Sequence, residues 1–193
     1  MNQERNRSVD AATAVAATRR WLERAVIGLN LCPFAKAVHV KEQIRYVVSE
    51  ARDTEQLLGD LARELQFLAD ADPETCDTTL LIHPHALNDF LDYNGFLDLA
   101  DAAVEELGLE GVLQVASFHP DYQFADTEPD DVTNCTNRSP YPTLHLLRED
   151  SIDRAVEAFP EAEGIYETNI RTLRKLGAAG WQALMTTADP ASH

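Results

Sequence analysis

The chain has 193 residues, of which 45% are hydrophobic, enough for one domain with its own core. Its 33 acidic and 16 basic residues give a formal charge of −17, and no run of Lys and Arg offsets it locally. Phosphate backbones and anionic membrane surfaces are therefore disfavoured as partners.

Nothing in the sequence approaches the roughly 20 apolar residues of a membrane span, and Met1–Ser8 is polar, without the apolar core of a leader. Three cysteines (Cys32, Cys76, Cys135) without a CxxC pair do not make a disulfide framework. These features predict a cytoplasmic single domain over 1–193 with frayed tails at 1–8 and 187–193.

In chain order, Val15, Leu22, Val26 and Leu29 share one face of a first helix, which Ser8 or Asp10 would cap. Pro33 ends that helix or begins another. Ile44–Val48 reads as a strand. Asp53 and Gln56 form a capping box in front of a helix with Leu57, Leu58, Leu61, Leu65 and Leu68 on one side. Thr78–Ile82 is a second strand, followed by a helical stretch from Leu87 to Leu107 that Asn94-Gly95 interrupts or splits. Gly108 and Gly111 precede a third strand, Val112–Phe118, and Thr143–Leu147 is a fourth. Two helices close the chain, Ile152–Phe159 and Ile165 to about Met185, the second with Ile165, Asn169, Leu173 and Leu176 on one stripe. This order predicts an α+β fold with a mixed sheet of about four strands covered by helices. One arrangement is a ferredoxin-like α/β sandwich with the last two strands antiparallel; the other is a flavodoxin-like parallel sheet.

His119 to Pro142 has neither helical nor strand period. A loop this long inside a compact domain is usually functional or disordered. Aromatic, His, Asn and Arg residues with stiffening prolines at both of its ends argue against disorder and predict two ordered lips around a mobile tip at 127–132. His119 stands at the carboxyl end of a strand, where open α/β sheets place ligands; it is a general base, a metal ligand or a hydrogen-bonded structural residue. His145 would approach it across an antiparallel pair. Arg138, beside Asn137 and near Asn134, has the fork that binds carboxylate or phosphate, or else it pairs with one of the many acids. Asp121 and Asp126 orient a histidine, bind a metal or form turns, and Tyr122, Phe124 and Tyr141 line a pocket or seal the loop onto the core. Cys32 is an activated thiol if it caps a helix starting at Pro33, and an inert buried one if its apolar neighbours Leu31 and Phe34 decide. His83 and His85 flank Pro84 at a metal-like spacing, without a third ligand in view.

No P-loop, GxGxxG, HExxH or GxSxG is present. The strings Leu29-Asn30-Leu31-Cys32-Pro33-Phe34-Ala35, Ser117-Phe118-His119-Pro120, Asn134-Cys135-Thr136-Asn137-Arg138-Ser139-Pro140-Tyr141-Pro142 and Leu144-His145-Leu146-Leu147-Arg148-Glu149 closely resemble a bacterial family catalogued as domain of unknown function 1415, over Ala14 to about Leu176. The resemblance implies a small single-domain bacterial protein and puts Cys32, His119, Asn137, Arg138, Tyr141 and His145 at motif positions; it carries no reaction or cofactor.

Three functions fit these residues. In the first, an enzyme acts on a small anionic metabolite. His119, His145, Asp121 and Cys32 supply the catalytic groups, and Arg138, Asn134, Asn137, Tyr141 and Tyr122 hold the substrate. The second is a metal-dependent hydrolase or lyase using His119 and His145. The third is a non-enzymatic binding or interaction module.

Overall fold

The computed structural model describes residues 9–158 and 164–186; the predicted frayed tails and Phe159 lie outside them. The strands β1 (Ile44–Val48), β2 (Thr78–Ile82), β3 (Leu113–Phe118) and β4 (Thr143–Arg148) form one sheet in the order β1-β2-β4-β3. β1 pairs parallel with β2, whereas β4 runs antiparallel to both β2 and β3. The fold is α+β with a mixed sheet, combining the parallel pairing of one predicted arrangement with the antiparallel final pair of the other.

The first helix is α1 (Ala11–Trp21), capped by Asp10, whose carboxylate accepts from the Thr13 backbone N–H at 3.0 Å. It runs on into a π-helical segment, Leu22–Ile27, and Gly28 is required there, because a Cβ would collide with the Arg24 carbonyl oxygen. A short α2 (Ala35–Val40) follows. Helices α3 (Thr54–Asp70) and α4 (Phe90–Glu106) are capped by Asp53 and Asp89. α4 is continuous through Gly95. Last come α5 (Glu149–Ala158) and α6 (Ile165–Thr186), the latter broken at Gly177, whose φ of 71° is left-handed. No helix among the described residues is long and apolar enough to cross a membrane.

Alternation along the strands sorts side chains between two layers. Leu81, Leu113, Leu144 and Leu146 meet Leu57, Leu61, Leu65 and Leu68 of α3 and Tyr93, Phe96 and Ala100 of α4 in the main core. Leu57, Leu61, Leu65 and Leu68 have no exposed area, and removing one would cost about 2–5 kcal/mol. Arg148, at the end of β4, closes the C-terminus of α3: one Nη donates to the Leu68, Ala71 and Cys76 carbonyls at 2.6, 2.7 and 3.2 Å. The opposite sheet face is covered less completely. Trp21, Leu22, Ala25 and Val26 pack across it, from Ile44 and Tyr46 of β1 to Phe118 of β3, and part of the rest borders a cavity.

The long loop is knotted into the fold by its own polar side chains. A 3-10 turn, Val132–Thr136, is capped by Asp131. The Asn134 Oδ1 accepts from the Phe124 N–H and the Thr127 hydroxyl at 3.0 and 2.8 Å, and its Nδ2 donates to the Glu128 carbonyl at 2.9 Å. Gln123 donates to the Thr127 carbonyl at 2.6 Å. The 127–132 segment, predicted as a mobile tip, is thus tied down by the Asn, Gln and Thr side chains that made it look like a solvated loop.

Candidate functional site

The registers of β2, β4 and β3 lay three rows of side chains across the less covered face. Leu80, His145 and Ala116 form the middle row; Thr78, Leu147 and Gln114 lie on one side of it, and Ile82, Thr143 and Phe118 on the other. The first two rows, with Phe118, floor a cavity of about 830 Å³. One wall comes from Trp21, Leu22, Val26 and the Cys32–Val38 segment, the other from Ile152, Ala155 and Ala158 of α5. The lining is mainly apolar. Charged residues, Lys41, Glu74, Asp77, Arg148 and Arg154, belong to the part reached from the start of β1 and β2 and from α5.

His145 is the only histidine among the described residues that line the cavity. Its Nε2 lies 2.8 Å from the Thr78 hydroxyl, and that hydroxyl is 2.6 Å from the Leu146 carbonyl. A hydroxyl has one proton, and the carbonyl can only accept it, so Thr78 accepts from His145 and the imidazole is protonated on Nε2. Nδ1 is left as a lone-pair acceptor with no hydrogen-bond partner among the described residues. Burial brings the imidazole pKa down to about 4, because the sheet and the apolar walls desolvate the cation. The ring is neutral at pH 7.

Cys32 reaches the same cavity through the turn that ends the π-helical segment. Asn30 has a left-handed φ of 53°, and the Leu31 N–H donates to the Val26 carbonyl at 2.9 Å. Buried Asn169 of α6 donates to the Leu31 carbonyl at 2.9 Å and holds that turn. The N-cap of α2 is Phe34, not Cys32. Burial raises the thiol pKa, and the backbone N–H groups of Phe34 and Ala35 oppose it only in part. The thiol is therefore protonated at neutral pH.

The other sequence-predicted residues lie elsewhere. His119 is fully buried on the α4 side, its ring 5.5 and 5.0 Å from those of Phe90 and Tyr93. Both of its nitrogens serve the backbone: Nδ1 accepts from the Asp121 N–H at 3.0 Å and Nε2 donates to the Leu87 carbonyl at 3.1 Å. Desolvation lowers its pKa. His119 and His145 thus point to opposite faces of the sheet and do not share a site. Asp121 is exposed, and Tyr122 packs between Phe90 and Phe124. Asn137 donates to the Ser117 carbonyl at 3.1 Å, and the Tyr141 carbonyl accepts from the Ser139 and Thr143 hydroxyls. Arg138 spans the loop, donating to the Tyr122 and Pro129 carbonyls at 3.1 and 2.6 Å, and lines a second, smaller cavity. The imidazole of His119 and the guanidinium of Arg138 hold the loop's backbone at two different places.

His83 is fully buried, with Nδ1 on the Ala86 carbonyl at 2.9 Å, while His85 lies 3.9 Å from Glu50. Among the described residues, no group of three or more His, Cys, Asp or Glu side chains is arranged to hold a metal ion. Sequence reasoning missed Thr78, which sets the His145 tautomer, and Ile152 and Ala155 of α5. The available signal was the alternation in Thr78–Ile82, which puts Thr78 and Leu80 on one face, and the amphipathic pattern of α5.

The model of a family described as "Protein of unknown function (DUF1415)" matches residues 13–183. No curated protein and no solved structure matches the chain.

Proposed function

The chain belongs to the DUF1415 family, and from that premise and the cavity's geometry we propose that it binds a small molecule with an apolar body and one hydrogen-bond donor. The body lies over Leu80, Ala116 and Phe118, and the donor meets Nδ1 of His145. The observation that carries this reading is a neutral imidazole nitrogen, with no hydrogen-bond partner among the described residues, on the floor of a mainly apolar cavity of about 830 Å³. Small-molecule sites share that form, a concave apolar lining of about 300–1,000 Å³ with a few placed polar groups. A ligand cation is disfavoured at the His145 end, where the lining is apolar and the one titrating base stays uncharged.

Titration with 8-anilinonaphthalene-1-sulfonate, which has an aromatic body and one N–H, tests it. The folded protein should show a saturable rise in fluorescence with one site per chain. Ala116→Trp, which fills the floor, should abolish that rise while keeping a cooperative melt. Undiminished binding by the folded Ala116→Trp variant would refute the reading.

A second reading, acid–base chemistry on the bound molecule, is favoured by one specific feature: a protonated thiol and an unprotonated imidazole nitrogen line the same cavity. Nδ1 of His145 would take a proton from the ligand and the Cys32 thiol would give one. Under this reading, once a turned-over substrate is found, His145→Gln cuts kcat at least tenfold and Cys32→Ser cuts it measurably, with KM nearly constant. Full activity in both variants leaves binding alone.

A further inference from the structure

The cavity over the sheet has two unlike ends. Its floor runs along β3 from Phe118 to Gln114, about 13 Å of strand. At the Phe118 end the lining is Trp21, Leu22, Val26 and Phe118 itself. At the other end, where β1 and β2 begin, Lys41, Glu74 and Arg154 are exposed, so this end is the mouth. Among the described lining residues the mouth holds three cations (Lys41, Arg148, Arg154) against two carboxylates (Glu74, Asp77), the reverse of the chain's 33 acids against 16 bases. Arg148 belongs to the wall, with one Nη on three carbonyls at the end of α3. Asp77 is engaged as well: its carboxylate accepts from the Ser151 hydroxyl at 2.6 Å, and that hydroxyl accepts from Nη2 of Arg154 at 3.0 Å. This link holds α5 against the start of β2 and sets Arg154 at the rim. Arg154 keeps Nε and Nη1, and Lys41 its whole ammonium, without a hydrogen-bond or ion-pair partner among the described residues.

We propose that the occupant of this cavity is an amphipathic carboxylic acid: an elongated apolar chain that ends in a carboxylate at the mouth, held by Lys41 and Arg154. The proposal rests on the reading of the cavity given above and adds the ligand's class and direction. Burying the charged end beside His145 would cost its hydration without a counter-ion. Placed at the mouth it stays close to water and meets charged donors, while the chain gains by burial over Leu80, Ala116 and Phe118. Rows of side chains two residues apart on a strand are separated by about 7 Å, and the Thr78 row lies between His145 and the mouth. The donor that meets Nδ1 of His145 is therefore about 7–10 Å from the carboxylate along the chain.

The probe is 8-(dansylamino)octanoate, which has an apolar chain, one N–H and a carboxylate at about that separation, and its methyl ester is the uncharged control. Dansyl emission should rise saturably with one site per chain at low ionic strength. A purely apolar site would favour the ester; here the ester should bind about tenfold more weakly than the acid, and added salt should narrow the gap. Lys41→Gln and Arg154→Gln change exposed side chains and should leave the melt intact. Each should weaken the acid about threefold, and the two together about tenfold, the range for ion pairs at a solvated rim, with the ester unaffected. An ester that binds as tightly as the acid, or a double variant that binds the acid like wild type, would overturn the carboxylate and leave the cavity reading in place, provided Ala116→Trp still abolishes binding. An ammonium-terminated analogue that binds more tightly than the acid would assign the mouth to Glu74 and overturn the proposal in the same way. Acid binding that survives Ala116→Trp would remove both readings.

Discussion

Acid should unfold this protein partly through one histidine. His83 has no exposed area, donates from Nδ1 to the Ala86 carbonyl, stacks on Tyr93 at a centroid distance of 5.7 Å, and keeps Nε2 buried without a partner. Protonating Nε2 would place a cation in the core, and burial brings the pKa down to about 4. In the unfolded chain the same ring titrates near 6.5. Between pH 6.5 and about 4 the unfolded state therefore holds a proton that the folded state lacks, so stability falls as pH falls through that window and the loss levels off below it. The difference of about 2.5 pKa units corresponds to about 3 kcal/mol. Other groups titrate in the same range, so the quantity to measure is a difference. Urea melts of wild type and His83→Phe at pH 7.5, 6.0, 5.0 and 4.5 should show the variant losing less stability on acidification, by about 2–3 kcal/mol at the lowest pH. Parallel pH profiles for the two proteins would show that the buried imidazole is not the acid-sensitive group.

Two further substitutions test the scaffold against the site. Tyr93 has no exposed area; its hydroxyl donates to the Thr143 carbonyl at 2.9 Å and accepts from the Phe118 N–H at 3.1 Å, joining the two strand ends from which the long loop departs. Tyr93→Phe orphans both groups and should cost about 2–4 kcal/mol in a urea melt; a loss below 0.5 kcal/mol would mean the strand ends close without it. Asn134→Ala removes three hydrogen bonds inside the loop and should lower stability by a similar amount, about 2–3 kcal/mol. Because Asn134 does not line the sheet cavity, the variant's affinity for 8-anilinonaphthalene-1-sulfonate should stay within about twofold; a large drop would join the loop to that site.

The elements were legible where a short-range pattern fixes them. The capping pair Asp53 and Gln56 and the leucines at 57, 61, 65 and 68 specify α3 without outside help, and the Asp53 carboxylate does receive the Gln56 N–H at 2.8 Å. The β-rich runs gave four strands, because alternation and burial act within five or six residues. Strand order was less accessible, since inserting β4 between β2 and β3 depends on packing between distant segments. The site divides in the same way. Cys32 and His145 stand out by residue type, but the cavity they line needs Trp21, Thr78, Ala116 and Ile152 to come together from four separate elements. His119 and Asn134 attract attention by residue type alone: polar side chains in a long loop are as useful for satisfying its own backbone as for meeting a ligand, and their bonds to the Leu87 carbonyl and the Phe124 N–H depend on where distant segments lie.

The neutral imidazole on the cavity floor is open to direct observation. Nitrogen-15 NMR of the histidine rings, with His145 assigned by a His145→Gln spectrum, reads its tautomer and its titration. The account predicts an Nε2-protonated ring that stays neutral from pH 8 to below pH 5, and an Nδ1 resonance that shifts when 8-anilinonaphthalene-1-sulfonate is added. A ring that titrates near 6.5, or an Nδ1 signal indifferent to a bound probe, would contradict it.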